Sequence, residues 1–384
     1  MQTPICIFES KSVGKDRIVD YFFALLRAGL WEKDTCLSQY CEVDLSEIYK
    51  IAENQSVLGL ITAGLDHVAD VKIPQEWSLQ FIGATLQLEQ SNKDMNLFVA
   101  ELIDKMRKVG IYTLLVKGQS VAQCYERPLW RANGDVDLFL SDENYERAKS
   151  FLIPLASVQS VEGIREKHLG MNIGGWEVEL HGRLYSGLSS KIERELDAVQ
   201  NDTFFNGAVR SWNNNGVQIF LLKEENDIFY VFTHILQHFY KEGVGLRQIC
   251  DWCRLLWTYR NSLDLRRLEL LIKNARLWSE WRAFGAFSVE YLGMPIEAMP
   301  FYSDETRWKR KADHIKKFIL EVGNMGHNRN HEYFGKYPYV IRKSISMGRR
   351  VGGLCRHARI FPLDSISFSF WIMFNGLRSA LRGE

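Results

Sequence analysis

Two aspartates interrupt an apolar run in GDVDLFL, where Asp135 and Asp137 flank Val136 and precede Leu138 and Leu140. In a β-strand, residues i and i+2 project to one face, so these carboxylates point together with Cα atoms about 6.5–7 Å apart. Val136, Leu138 and Leu140 face the other way, toward a core. Like charges this close resist joint ionisation unless a cation neutralises them. Two aligned carboxylates therefore suit Mg²⁺, which takes oxygen ligands and shares them with phosphates, with Mn²⁺ as the alternative. A pair of such ions about 3.5–4 Å apart activates an attacking oxygen and stabilises a leaving one.

That chemistry needs a third carboxylate. WEVELHG supplies one in Glu179, set between Val178 and Leu180 in a predicted strand. Glu177 shares its face, but Glu179 has the more enclosed flanks and is the expected third metal ligand and a candidate base for an acceptor hydroxyl. A phosphate cradle is expected at LLVKGQSVAQ, where a strand ends at Lys117-Gly118-Gln119-Ser120 and a helix opens. Glycine lets the backbone approach a phosphate, Ser120 adds a hydroxyl and Lys117 a charge. Arg127 and Arg131 precede the aspartates and are candidate triphosphate contacts, as arginine commonly is. His181 follows Glu179 by two residues and shares its face, while His168 falls on the adjoining strand; both are candidates for the pocket.

Each feature alone also fits a plainer reading. Asp135 could close the Gly134 turn, Asp137 could face solvent on an edge strand, and Glu179 could be solvated. What points to a metal site is the ordered combination: strand then Gly-x-Ser then helix, strand with Asp-x-Asp, strand with Glu between apolar neighbours.

The elements that must carry these residues can be read from pattern. IYTLLVKG (111–118) is a short buried strand and QSVAQCYE a short helix. RPLWRANG is a loop punctuated by Pro128 and Gly134, and DVDLFL is the second strand. Ser141 sits at an N-cap position before DENYERAKSFL, whose first turn is acidic. KHLGMNIGGWEVELHGRL reads as two strands around Gly174-Gly175. This α/β core is expected over residues 96–215, closed by the turn-like WNNNG at 212–216. Residues 1–95 read as a helical region, and so do residues 216–384, where NDIFYVFTHILQHFY, LRQICDWCRLLWTYR and LDLRRLELLIKNARLW are successive helices.

Of the 384 residues, 46% are hydrophobic and 25% charged, with a net charge of +1, which excludes disordered and fibrous classes. Residues 302–384 carry 16 basic against 7 acidic side chains. Such a basic segment is either solvated surface or a site for a polyanion. The seven cysteines are odd in number and irregularly spaced, and no secretory leader or apolar span of about 18 residues is read, so a cytoplasmic protein with reduced thiols is expected. His234 and His238, one helical turn apart, read as a buried helix–helix contact with Arg247 and Asp251, as pocket lining, or as a metal pair. CDWC (250–253) lacks a thioredoxin-like frame. The glycine-rich 323–330 stretch reads as a surface loop, and the aromatic 365–383 segment as a docked helix or a membrane-surface helix.

The order of motifs resembles the nucleotidyltransferase superfamily of DNA polymerase β, with its hydrophobic-Gly-Gly/Ser, Asp-hydrophobic-Asp/Glu and later strand acid. A closer resemblance is to a bacterial branch of uncharacterised nucleotidyltransferases. It is carried by LLVKGQSVAQCYERPLWRANGDVDLFL and VELHGRL, and extends to LSEIYKIAENQSVLGLI and FTHILQHFYKEGVGLRQICDWCRLL. In the superfamily the second small residue directly follows the first glycine; here Gln119 intervenes before Ser120. The resemblance implies an α+β fold, a small polymerase β-like sheet domain flanked by helical regions. It implies Gly118 and Ser120 at the nucleotide, Asp135 and Asp137 as the metal pair, and Glu179 as the third acid. The implied activity is Mg²⁺-dependent transfer of a nucleoside monophosphate from an NTP to an unidentified acceptor hydroxyl or phosphate. A non-catalytic protein of the same fold, binding nucleotide or a partner, and a nucleic-acid binder using the basic C-terminal region are the alternatives. The near-neutral charge makes nucleic acid the less expected partner.

Overall fold

A computed structural model describes residues 11–40, 43–163, 166–241, 243–324, 353–354 and 356–382, of which 11–15 and 375–382 are described as backbone only. Cys6, Cys41, Cys355 and most of the 323–330 stretch lie outside the described residues. Cys36, Cys124, Cys250 and Cys253 are free thiols. Among the described residues, no helix is long and apolar enough to cross a membrane.

The chain enters through four helices, α1 (Lys11–Trp31), α2 (Leu45–Asn54), α3 (Leu58–Asp66) and α4 (Gln75–Lys108). Asp44 caps α2 by accepting from the Ser46 amide. The sheet region follows: β1 (Leu114–Val116), α5 (Gly118–Ala122), β2 (Val136–Phe139), α6 (Asp142–Leu152), β3 (Val158–Gln159), β4 (His168–Ile173), β5 (Trp176–His181), α7 (Ser190–Phe205), β6 (Val209–Asn214) and β7 (Val217–Leu222). Ser141 caps α6 and Ser189 caps α7, each accepting from the amide three residues on. Further helices follow: α8 (Glu224–Lys241), α9 (Leu246–Tyr259), α10 (Leu265–Asn274), α11 (Trp278–Leu292), α12 (Thr306–Val322) and, toward the C-terminus, α13 (Pro362–Arg382).

The seven strands form one mixed sheet in the order β3-β4-β5-β2-β1-β7-β6. β2 lies near its centre, antiparallel to β1 and parallel to β5. The architecture is α+β, as expected, with helical regions before and after the sheet. The sheet reaches further than residue 215. Asn215 and Gly216, with φ of 49° and 82°, form the two-residue turn of the β6–β7 hairpin. WNNNG is therefore a connection inside the sheet, and β7 returns to pair with β1. On the other side, α4 runs without a break through residues 95 and 96 and packs against β6 and β7. The chain passes from helices to sheet and back within shared elements.

One sheet face packs with α4 and α6 through Leu115, Val136, Leu138, Val178 and Leu180. The other presents Leu114, Val116 and Phe139 to the larger helical core built by α1, α7, α8, α9 and α11. Period-two alternation thus sends Asp137, between Leu138 and Val136, to the α8 side.

α13 docks on α8 by Phe368, which meets Tyr240 edge to face at 4.9 Å. Beneath it Glu280 is fully buried and accepts from the Tyr240 hydroxyl at 3.2 Å. Burial, and then the nearby Asp364 carboxylate, push its pKa up to about 8. A carboxyl whose folded pKa is raised binds its proton more tightly in the native state, so stability falls as pH rises from the unfolded value through the folded one. Between about pH 5.5 and 7.5 the wild type should lose about 1 kcal/mol per pH unit relative to Glu280→Gln. Urea unfolding of both proteins across that window checks this; parallel curves would refute it.

Candidate active site

The site is assembled where β1 ends beside the start of β2, with β5 running alongside. Asp137 pairs in register with Val116 on β1 and with Glu179 on β5. Neighbouring strands lie about 4.8 Å apart, so this register alone brings two acids together. Asp135, just before β2, completes a trio whose carboxylate oxygens lie within 4.8 Å of one another. After Val116 the chain turns sharply. Lys117 has φ 53° and ψ −156°, a conformation side chains seldom adopt, and Gly118 follows at φ 43°. A Cβ on Gly118 would stand 3.3 Å from the Asp135 carbonyl oxygen, so the turn and the acid strand are closely apposed.

Cationic groups interleave the acids. Lys117 Nζ lies 2.6 Å from Asp137 Oδ1, and His181 Nε2 is 2.7 Å from the same oxygen. Glu179 Oε2 is 3.1 Å from His168 Nε2 and 3.3 Å from His181 Nε2. Repulsion from Asp137, then burial, raises the Asp135 carboxyl above its ordinary value. Burial opposes charge on Lys117, yet the Asp137 carboxylate prevails and holds the ammonium well above the usual lysine range. Burial likewise works against Glu179, but hydrogen bonds with His168 and His181 pull its pKa far below normal. His181 is raised: burial disfavours its charge, and hydrogen bonds to Asp137 and Glu179 outweigh that. Glu179 therefore carries a charge that an incoming cation can meet, and the three carboxylates are the oxygen donors a hard divalent ion takes.

A cavity of about 540 Å³ opens over these groups, lined on its sheet side by Lys117, Gly118, Asp135, Asp137, Glu179 and His181. His168 and Arg131 also line it. Its opposite wall is α8, which presents Tyr230, His234, His238 and Lys241. Sequence reading singled out only the two histidines of this wall. The signal for the rest was the polar stripe 230, 234, 238 and 241 at helical spacing along α8. His234 Nε2 and His238 Nε2 lie 3.1 Å apart. Burial, then Lys117, drives the His234 pKa well below normal, so it is a neutral imidazole. Burial raises the Tyr230 phenol to about 12.

Three candidates sit differently from their expected places. Ser120 is fully buried, and its hydroxyl donates to the Lys117 carbonyl at 2.7 Å, so it braces the turn from below and does not line the cavity. Arg127 faces away: its guanidinium pairs with Glu32 and Asp66 and covers Trp130 at 4.5 Å. Arg131 reaches the cavity wall, but its guanidinium is buried in a two-pronged pair with Asp251, at 2.8 and 2.7 Å, which Tyr125 joins through its hydroxyl. Arg247 donates to the carbonyls of Ala132 and Asn133, and Asn92 to those of Leu129 and Arg131. From α3, Gly59 lies so close to Trp130 that a Cβ would fall 2.0 Å from its carbonyl oxygen. Helices α3, α4 and α9 thus clamp the 127–134 loop, and the two arginines serve that clamp. Arg247 and Asp251 hold this loop, and their bonds do not go to the α8 histidines.

No curated protein matches the sequence. Among solved structures, an antigenic nucleotidyltransferase-like protein from Paracoccidioides brasiliensis is similar at 15% identity, over 47% of this chain and 85% of that one, with a TM-score of 0.30. That superposition is loose, so membership rests on the family match. Residues 42–285, from before α2 to within α11, match the family described as uncharacterised nucleotidyltransferase. The match spans more than half of the chain, including the acids, the turn and the clamped loop, and the chain belongs to that nucleotidyltransferase family.

Proposed function

We propose that the chain transfers a nucleoside monophosphate from an NTP to an acceptor hydroxyl or phosphate, with Mg²⁺ held by Asp135, Asp137 and Glu179. The observation that carries this reading is the convergence of the three carboxylates within 4.8 Å beside the Lys117–Gly118 turn. When bound, Mg²⁺ would neutralise the triphosphate and the charge developing on the attacking and leaving oxygens. An acceptor hydroxyl gives up its proton to solvent as its oxygen bonds to the α-phosphorus, the bond to the α–β bridging oxygen breaks and pyrophosphate leaves. Lys117 has three donors and uses one on Asp137, which leaves two for phosphate oxygens. Gly118 keeps the turn free of a side chain, so backbone can approach the nucleotide. His168 and His181 hold Glu179 as a carboxylate, which suits it to binding a cation and weakens it as a base. The α8 wall with Tyr230, His234 and Lys241 faces the acids and is placed to select the acceptor.

Incubation with α-labelled NTPs, Mg²⁺ and a cell extract should move label onto an acceptor, and Asp135→Ala/Asp137→Ala should not. The reading fails if no label moves and neither protein binds Mg·NTP. Lys117 and His181 already neutralise Asp137, which favours a non-catalytic nucleotide-binding role as the second reading. Tight Mg·NTP binding without transfer is its signature in the same assay.

A further inference from the structure

We propose that His168, His181 and Glu179 form a second metal site, specific for a late first-row divalent ion such as Zn²⁺ or Co²⁺ and sharing Glu179 with the acid trio. It shares that residue with the function proposed above, but does not depend on nucleotide transfer.

The site grows from strand pairing. β4 and β5 are antiparallel, and His168 and His181 are register partners across them. Glu179, two residues before His181, projects to the same face. As a result the two imidazole Nε2 atoms and one carboxylate oxygen converge. His168 Nε2 and His181 Nε2 lie 3.1 and 3.3 Å from the same Glu179 oxygen, and all three donors are within 4.8 Å of one another. Ligands bound at about 2.0–2.2 Å with tetrahedral or octahedral angles stand roughly 2.8–3.6 Å apart, so these spacings match the edges of a coordination polyhedron.

Without a metal these contacts are hydrogen bonds from the imidazoles to the carboxylates, and a bound ion would take the place of their protons. His181 Nε2 faces Asp137 Oδ1 at 2.7 Å as well as Glu179. A second imidazole is aimed at the same glutamate oxygen. The donor chemistry sets the metal class. Two nitrogens and one carboxylate suit zinc, cobalt and their neighbours, whereas Mg²⁺ prefers oxygen and is directed to Asp135 and Asp137. The trio lines the open cavity, with His168 36% and Glu179 22% exposed, so an ion has a path in. Bound there, it would pin the β4–β5 rim and fix Glu179 between the two sites.

The test is titration of the full chain with Co²⁺ in excess Mg²⁺, followed by visible absorption. The wild type should bind one Co²⁺ with the d–d bands of a nitrogen-ligated ion, displaced by Zn²⁺. His168→Ala and His181→Ala should each weaken binding by at least about tenfold, since even indirect partners of a metal ligand are worth about 10–100-fold. Asp135→Asn should retain Co²⁺. Thermal melts by circular dichroism confirm folding, and His168→Asn replaces any alanine variant that does not fold. The proposal is overturned if the wild type shows no such bands, if the histidine variants bind Co²⁺ like the wild type, or if Asp135→Asn loses it equally. Mg·ATP binding to the same proteins reads the nucleotide function separately. A wild type that takes Co²⁺ but no Mg·ATP sinks only that function; one that takes Mg·ATP but no Co²⁺ sinks only this site.

Discussion

Asp137→Asn should lower nucleotidyl transfer by about a thousandfold or more, equivalent to about 4 kcal/mol of transition-state stabilisation. The chain should stay folded. Asparagine keeps the shape of this 1%-exposed side chain, so no cavity opens. What disappears is one negative charge at the centre of the site. Asp137 touches both Lys117 and His181, and it faces Glu179 across the β2–β5 pair. Removing its charge weakens cation binding and leaves the Lys117 ammonium answered only by Asp135 and Glu179. Transfer of label from α-labelled NTP, measured beside a thermal melt, checks both parts. Retention of more than a tenth of the wild-type rate in a folded variant would remove Asp137 from the catalytic centre. Asp135→Asn should follow the same course.

The second large effect is on stability. Asp251→Ala should cost about 3–5 kcal/mol, because it strands the Arg131 guanidinium in the interior without its partner. Arg131 and Asp251 are each 5% exposed, and their two-pronged pair carries the Tyr125 hydroxyl as well. Apolar replacement of both ends, Arg131→Met with Asp251→Leu, should recover most of the loss, since a buried ion pair and a packed apolar pair are often close in stability. Urea midpoints for the single and double variants read this directly. Equal losses in both would show that the charges matter less than the shape of the loop. The loop leads into Asp135, so the single variant should also lose transfer activity.

Much of the site was legible in the chain because its signals are local. Strand alternation set Asp135 and Asp137 on one face, Gly118 marked the turn, and Ser141 marked the next helix. The apolar flanks of Glu179 marked a strand that does carry it, and the motif order pointed to the nucleotidyltransferase family that the match over residues 42–285 shows. Arginine roles were not legible. Arg127 and Arg131 look alike on a loop before an acid pair, and nothing nearby in sequence names Glu32, Asp66 or Asp251 as their partners. Ser120 misled for a related reason: a hydroxyl after a glycine suits a phosphate or the Lys117 carbonyl equally, and only the helix turn decides.

The sequence by itself determined the local pieces: two- and 3.6-residue periods, caps, the acid pair, and an Asn-Gly turn, though not that this turn lies inside the sheet. Tertiary structure decided how pieces far apart in sequence meet. The register that sets Glu179 beside Asp137, the hairpin that carries β7 back to β1, and the helix α8 that walls the cavity all depend on long-range pairing. Side-chain periodicity says which face a residue takes but not which strand or helix that face will find. That choice is made by burial summed over the whole chain, which no single stretch contains.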